Sequence, residues 1–146
     1  MVSGKQYDIY SSEKRLSSAL TSLSTSSILD SNKELIVKFI HSMKAQGIKA
    51  IRLKKSVYML RDLALILNKP FDSADKQDIE SLLCELESRN YSAWTKSDYK
   101  IILKRFYKWL LGEDEVYPRI ISWIKNKEPK NGILPEELIT EQEVIQ

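Results

Sequence analysis

The chain predicts an all-α fold: a bundle of four to five helices, with an N-terminal arm before it and a linker after it. Three observations predict it. Apolar residues recur at three- and four-residue spacing through most of residues 32–127. Helix-stopping residues, namely Gly47, Asn68-Lys69-Pro70 and Gly112, stand between those periodic stretches. At 146 residues and 42% hydrophobic content, the chain is also long enough for one domain with a true core.

Residues 1–31 read as the arm. They are rich in Ser and Thr, yet Leu16, Ala19, Leu20 and Leu23 recur at helical spacing and predict one weak, short helix. The first strong helix follows, with Asp30 or Ser31 as its cap, Leu35, Phe39, Ile40 and Met43 as its apolar stripe, and Gly47 as its stop. A second helix covers residues 53–67, burying Leu53, Val57, Leu60, Ala64 and Leu67 before Pro70 ends it. A third runs over residues 73–89. Asp75 and Asp78 suit its N-terminal end of the helix dipole, and Ile79, Leu82, Leu83 and Leu86 form its buried stripe. Cys84, at the edge of that stripe, reads as an inert packing residue.

The fourth helix, residues 95–111, is the most legible. With Tyr99 set at zero and about 100° advanced per residue, Ile102, Leu103, Phe106, Trp109 and Leu110 fall within one apolar arc. Lys96, Lys100, Lys104 and Lys108 follow at four-residue steps on the neighbouring arc, with Tyr107 among them. Aromatic residues at this spacing are read as core and not as stacking platforms for bases. Tyr91 and Trp94 are expected to staple the start of the helix. A fifth helix, residues 118–127, opens on Pro118 in its first turn and offers Ile120, Ile121, Trp123 and Ile124 for packing. Residues 128–146 then carry the prolines and glycine of a linker, and Thr140 to Glu143 matches a capping box that opens another helix, read as the first element of a further domain.

Net charge is only +3, but it is unevenly placed. Lys49, Arg52, Lys54, Lys55 and Arg61 form a basic stretch with no acid in it, and Lys96, Lys100, Lys104, Arg105 and Lys108 form a second against Asp98 alone. Between them lie Asp72, Asp75, Asp78, Glu80, Glu85 and Glu87 against the single base Lys76. The expectation is one basic face and one acidic face. A lysine stripe of this kind can lie along a phosphate backbone while the apolar arc holds the helix to its domain.

Other classes find no support. One cysteine and one histidine, His41, allow no internal disulfide and no Cys-based metal cluster, so neither structural zinc nor a cofactor is expected. There is no Gly-rich phosphate loop and no Ser-His-Asp set. No window approaches the roughly 18 consecutive apolar residues of a membrane span, and the first ten residues lack the apolar segment of a secretory signal. A cytoplasmic location is expected.

Three stretches carry a family resemblance. They are Tyr58-Met59-Leu60-Arg61-Asp62-Leu63-Ala64; Tyr91-Ser92-Ala93-Trp94-Thr95-Lys96-Ser97-Asp98-Tyr99-Lys100 running into Leu103-Lys104-Arg105-Phe106-Tyr107-Lys108-Trp109-Leu110; and Leu134-Pro135-Glu136-Glu137-Leu138-Ile139-Thr140. Together they resemble the N-terminal core-binding domain of tyrosine recombinases of the phage integrase type, in particular archaeal integrase and Xer-like members. The resemblance covers residues 33–143, and its last stretch looks like the junction at which a catalytic domain begins. One departure is Lys54, where the family usually has Thr or Ser about four residues before the tyrosine.

The resemblance implies a SAM-like helical bundle over residues 32–127 that clamps one face of a recombination half-site, in DNA integration or another recombination reaction. The second and fourth helices would then approach double-stranded DNA through Arg52, Lys54, Lys55, Lys96, Ser97, Lys100 and Lys104, with Lys130 of the linker against a phosphate. Its implied partners are a C-terminal catalytic recombinase domain and further copies assembled on DNA. Catalysis in the family needs a tyrosine nucleophile, two arginines, a lysine and a histidine, because donors must meet the charge that builds on the attacked phosphate. That set cannot be assembled here. The nearest approach to a His-x-x-Arg motif is His41-Ser42-Met43-Lys44, so the chain by itself is expected not to be an enzyme. Two alternatives stand beside this reading: a stand-alone regulatory DNA-binding remnant of a recombinase, and a helical protein-interaction module using the acidic third helix.

Overall fold

The second periodic stretch, the most hydrophobic of the long helices, becomes the hub of the molecule. In the computed structural model, which describes residues 4–112 and 117–125, the element order is α1 (Gly4–Ser24), α2 (Asp30–Ala45), α3 (Ala50–Leu67), a 3-10 turn (Phe71–Ser73), α4 (Lys76–Ser88), α5 (Ala93–Leu111) and α6 (Arg119–Ser122). No strand occurs among the described residues. Helix α3 packs against α1, α2, α4 and α5, while α6 closes on α4 and α5. The fold is the all-α bundle that the periodicity predicted.

The predicted stripe of α3 is buried at all five positions, Leu53, Val57, Leu60, Ala64 and Leu67, and Ala50 and Leu63 join them. Asn68 then ends the helix in the left-handed region, at φ 53° and ψ 36°, with its N–H donating to the Ala64 carbonyl at 2.9 Å. Asparagine is among the few side chains that tolerate this conformation. Gly47 stops α2 in the same region at φ 90°, and Ile48 N–H returns to the Met43 carbonyl at 3.1 Å.

Several local expectations need correction. The segment read as an arm with one weak helix is a 21-residue helix, α1. Ser and Thr lower its intrinsic propensity, but Leu16, Ala19 and Leu23 are buried, and tertiary packing outweighs propensity in such a case. The N-cap of α2 is Leu29 and not Asp30 or Ser31. Asp30 instead occupies the first turn, where its charge suits the dipole and lies 3.5 Å from Lys33 Nζ. The third helix begins later than predicted because Asp75 and Asp78 form a reciprocal capping box, each carboxylate accepting the other's backbone N–H at 2.9 Å. The residues before it turn tightly and drop Phe71 into the core.

Helix α5 is capped by Ser92, whose hydroxyl accepts from Thr95 N–H at 3.1 Å. Tyr91 stacks on Tyr99 at 5.5 Å, as a staple should, but Trp94 is 47% exposed and does not. Helix α6 has only four residues, with Pro118 as its N-cap and not in its first turn. Residues 128–146, including the capping box at Thr140, lie outside the described residues. No helix among the described residues is long and apolar enough to cross a membrane.

Two polar groups fix the core's geometry. Asn32 is 1% exposed; its Nδ2 donates to the Lys69 carbonyl at 3.1 Å and its Oδ1 accepts from Phe71 N–H at 2.9 Å. It thereby satisfies the backbone of the chain reversal between α3 and the 3-10 turn, a place where a bundle otherwise leaves polar groups unmet. Tyr107 does the same from α5, donating to the Phe71 carbonyl.

Candidate nucleic-acid interface

The basic residues predicted to form one face divide between two sides of α5. On one side, α2, α3 and α5 enclose a groove of about 190 Å³. Its floor is apolar, with Phe39, Met43, Ile48 and Met59, and its rim carries Arg52 and Lys55 from α3 and Asp98 and Arg105 from α5. Arg52, Lys55 and Arg105 are all exposed. Lys55 Nζ lies 2.7 Å from the Asp98 carboxylate, whereas Arg52 and Arg105 form no ion pair among the described residues.

Helical phase explains why these residues meet. Arg52, Lys55, Ser56 and Met59 recur at three- and four-residue steps on one flank of α3, and Asp98, Ile101, Ile102 and Arg105 do so on the facing flank of α5. Tyr99 locks the pairing of the two helices by donating its hydroxyl to Asp62 at 2.8 Å. Burial, reinforced by the Asp62 carboxylate, pushes the Tyr99 hydroxyl pKa well up, so it remains a donor. Asp62 also holds Arg61 at 3.1 Å, and Arg61 lies over the Tyr58 ring at 5.0 Å, which removes that arginine from the groove.

The lysine stripe lies on the other side, facing α4 and residues 117–124. Lys100 Nζ lies 2.6 Å from the Glu87 carboxylate, and Lys96 Nζ donates to the Glu87 carbonyl at 3.0 Å. The Lys100 hydrogen bond holds the Glu87 carboxyl below the usual carboxylate range, so the pair stays charged. Lys104 donates to the Ile124 carbonyl at 3.2 Å and lies over the Tyr117 ring at 4.8 Å, with Lys108 on the same ring at 5.1 Å. The stripe fastens two elements onto α5.

The predicted set therefore separates. Arg52 and Lys55 come together at the groove. Lys54 is half-buried on the far flank of α3, and Lys96, Lys100 and Lys104 are engaged within the fold. Ser97 is 5% exposed, and a side chain so covered presents nothing to a duplex surface. Lys130 lies outside the described residues. Arg105 completes the groove, and sequence reasoning misses it there because it stands off the four-residue lysine series. The available signal is its position two turns after Asp98, on a flank other than that of the lysines.

A second concavity, wider and shallower at about 850 Å³, lies between α4, α5 and α6, lined in part by Glu80, Leu83, Cys84 and Trp123. Cys84 is exposed there and not packed at the edge of the core stripe. The stripe turns its leucines inward, and Cys84 falls just outside the arc that α3 covers. No cluster of metal-ligating side chains occurs among the described residues. Comparison with protein-family models, with curated proteins and with solved structures finds no match.

Proposed function

We propose that the chain binds duplex DNA through the groove where α3 and α5 converge. It serves as the core-binding half of a site-specific tyrosine recombinase, in the cytoplasm, and a catalytic domain C-terminal to it supplies the strand-cleaving chemistry. The observation that carries this reading is the convergence of Arg52, Lys55 and Arg105, contributed by two different helices, on one exposed groove. Arginine suits the role because its planar fork meets phosphate oxygens or a guanine edge in pairs. The chain makes no cut itself, since the nucleophile and arginine set of the resembling family is not assembled within it.

Fluorescence anisotropy on mixed-sequence duplex across a salt series tests the proposal. Half a clamp held by phosphate contacts should bind with a dissociation constant on the order of 10⁻⁴ to 10⁻⁶ M at physiological salt. The double variant Arg52→Ala/Arg105→Ala should reduce the slope of log K against log salt by about 0.9 for each phosphate it no longer engages. A variant at Glu80 and Glu85 of α4 should leave that slope unchanged. Equal effects from both variants would mean that overall charge and no particular face governs binding.

A second reading is favoured by the wide concavity along α4. There an exposed helix face with Glu80 and Cys84 meets Trp123, as in a module that docks a protein partner. Loss of all DNA binding at low salt, with the fold intact, would bring that reading forward.

A further inference from the structure

The groove carries one residue that opposes its own proposed function. Asp98 shares the lining of the groove with Arg52, Lys55 and Arg105, and its carboxylate lies 2.7 Å from Lys55 Nζ. Both side chains remain accessible, at 60% for Lys55 and 35% for Asp98, so the pair stands at the surface a duplex would meet. Resting on the DNA-binding reading above, we propose that Asp98 restrains the binding of duplex DNA at this groove. It does so by occupying Lys55 and by repelling the phosphate backbone.

The argument is electrostatic. An exposed ion pair is weak, so it contributes little to the stability of the bundle and is open to exchange. A phosphate approaching Lys55 must displace Asp98 and then tolerate a like charge a few ångströms away. The penalty falls on every phosphate in every sequence alike. Duplex binding is therefore weakened whatever its sequence, and relief of the Asp98 charge strengthens it. Glu87 holds lysines as well, but its partners also anchor α4, and it does not line the groove. Asp98 is the one carboxylate among the residues that line the groove.

The test uses the 146-residue chain and mixed-sequence duplex across a salt series, with each variant checked for helicity by circular dichroism. Asp98→Asn keeps the side chain's shape and removes its charge. It should bind about three- to tenfold more tightly at physiological salt and steepen the salt slope by about 0.9, the signature of one added phosphate contact. In a Lys55→Gln background the same change should give a smaller gain and little change of slope. Asp98→Ser provides the same comparison if the asparagine variant folds poorly. A parent chain that binds duplex while neither Asp98 variant binds more tightly overturns this inference and leaves the DNA-binding reading intact. A gain that is equally large without Lys55 overturns the exchange between Asp98 and Lys55. A folded parent that fails to bind duplex even at low salt overturns both.

Discussion

Tyr107 of α5 donates its hydroxyl to the carbonyl of Phe71 at 2.7 Å, and the two rings meet edge to face at 6.0 Å. One side chain thus supplies both a core contact and the partner of a buried backbone acceptor. Tyr107→Phe keeps the ring and leaves that carbonyl unmet, which should cost about 1 to 3 kcal/mol in urea unfolding. A loss indistinguishable from zero would show that water or another donor reaches the carbonyl.

The same burial sets an alkaline limit. Desolvation raises the hydroxyl pKa values of Tyr107 and Tyr99 well above the ordinary 10.0. The folded state therefore keeps protons that the unfolded chain releases. Below pH of about 10 this contribution to stability is fully present, and it is lost as pH rises through the unfolded value toward the folded ones. Unfolding free energy should fall above pH of about 10, and the fall should be shallower in Tyr107→Phe and Tyr99→Phe. Tyrosinate absorbance should show these two residues ionising late, above the ordinary tyrosine range.

Asn32 should prove the least replaceable polar residue. Leucine of similar volume would remove both of its hydrogen bonds and leave the Lys69 carbonyl and the Phe71 N–H in a dry environment, at a cost of about 2 to 4 kcal/mol. Asn32→Asp should be at least as damaging at neutral pH and should recover partly in acid. A carboxylate accepts but cannot donate to the Lys69 carbonyl, whereas its protonated form can.

Phe106 sits among Phe39, Phe71 and Trp109, with ring centroids at 5.4, 4.6 and 5.8 Å. Phe106→Ala should cost about 3 to 5 kcal/mol. A loss below about 1 kcal/mol would mean that the core refills the space.

At Asn68 the backbone itself is the test. Asn68→Gly should be neutral or slightly stabilising, because glycine adopts φ 53° without strain, while Asn68→Ala should cost about 1 kcal/mol. Thermal melts of the two variants should separate in that order.

What the sequence determined by itself was the phase of each helix. Val57, Leu83 and Phe106 could be assigned to the core because an apolar stripe at three- and four-residue spacing has only one way to hide, and Gly47 and Asn68 marked stops by backbone conformations that few residues tolerate. Periodicity fixes a side chain's direction relative to its own axis. It does not say which neighbour covers the rest of the surface. The third dimension therefore decided that Ser-rich α1 packs as a full helix on α3, and that Tyr107, placed by phase among the lysines, is buried because the Phe71 turn reaches around to it. It also decided which cations remain available. Lys100 and Arg105 belong to the same basic run and lie little more than one turn apart, but Glu87 of α4 closes on one of them, and the flank that carries the other opens on the groove beside Arg52. Charge is written along the chain, whereas the partner that neutralises it arrives from elsewhere in the fold.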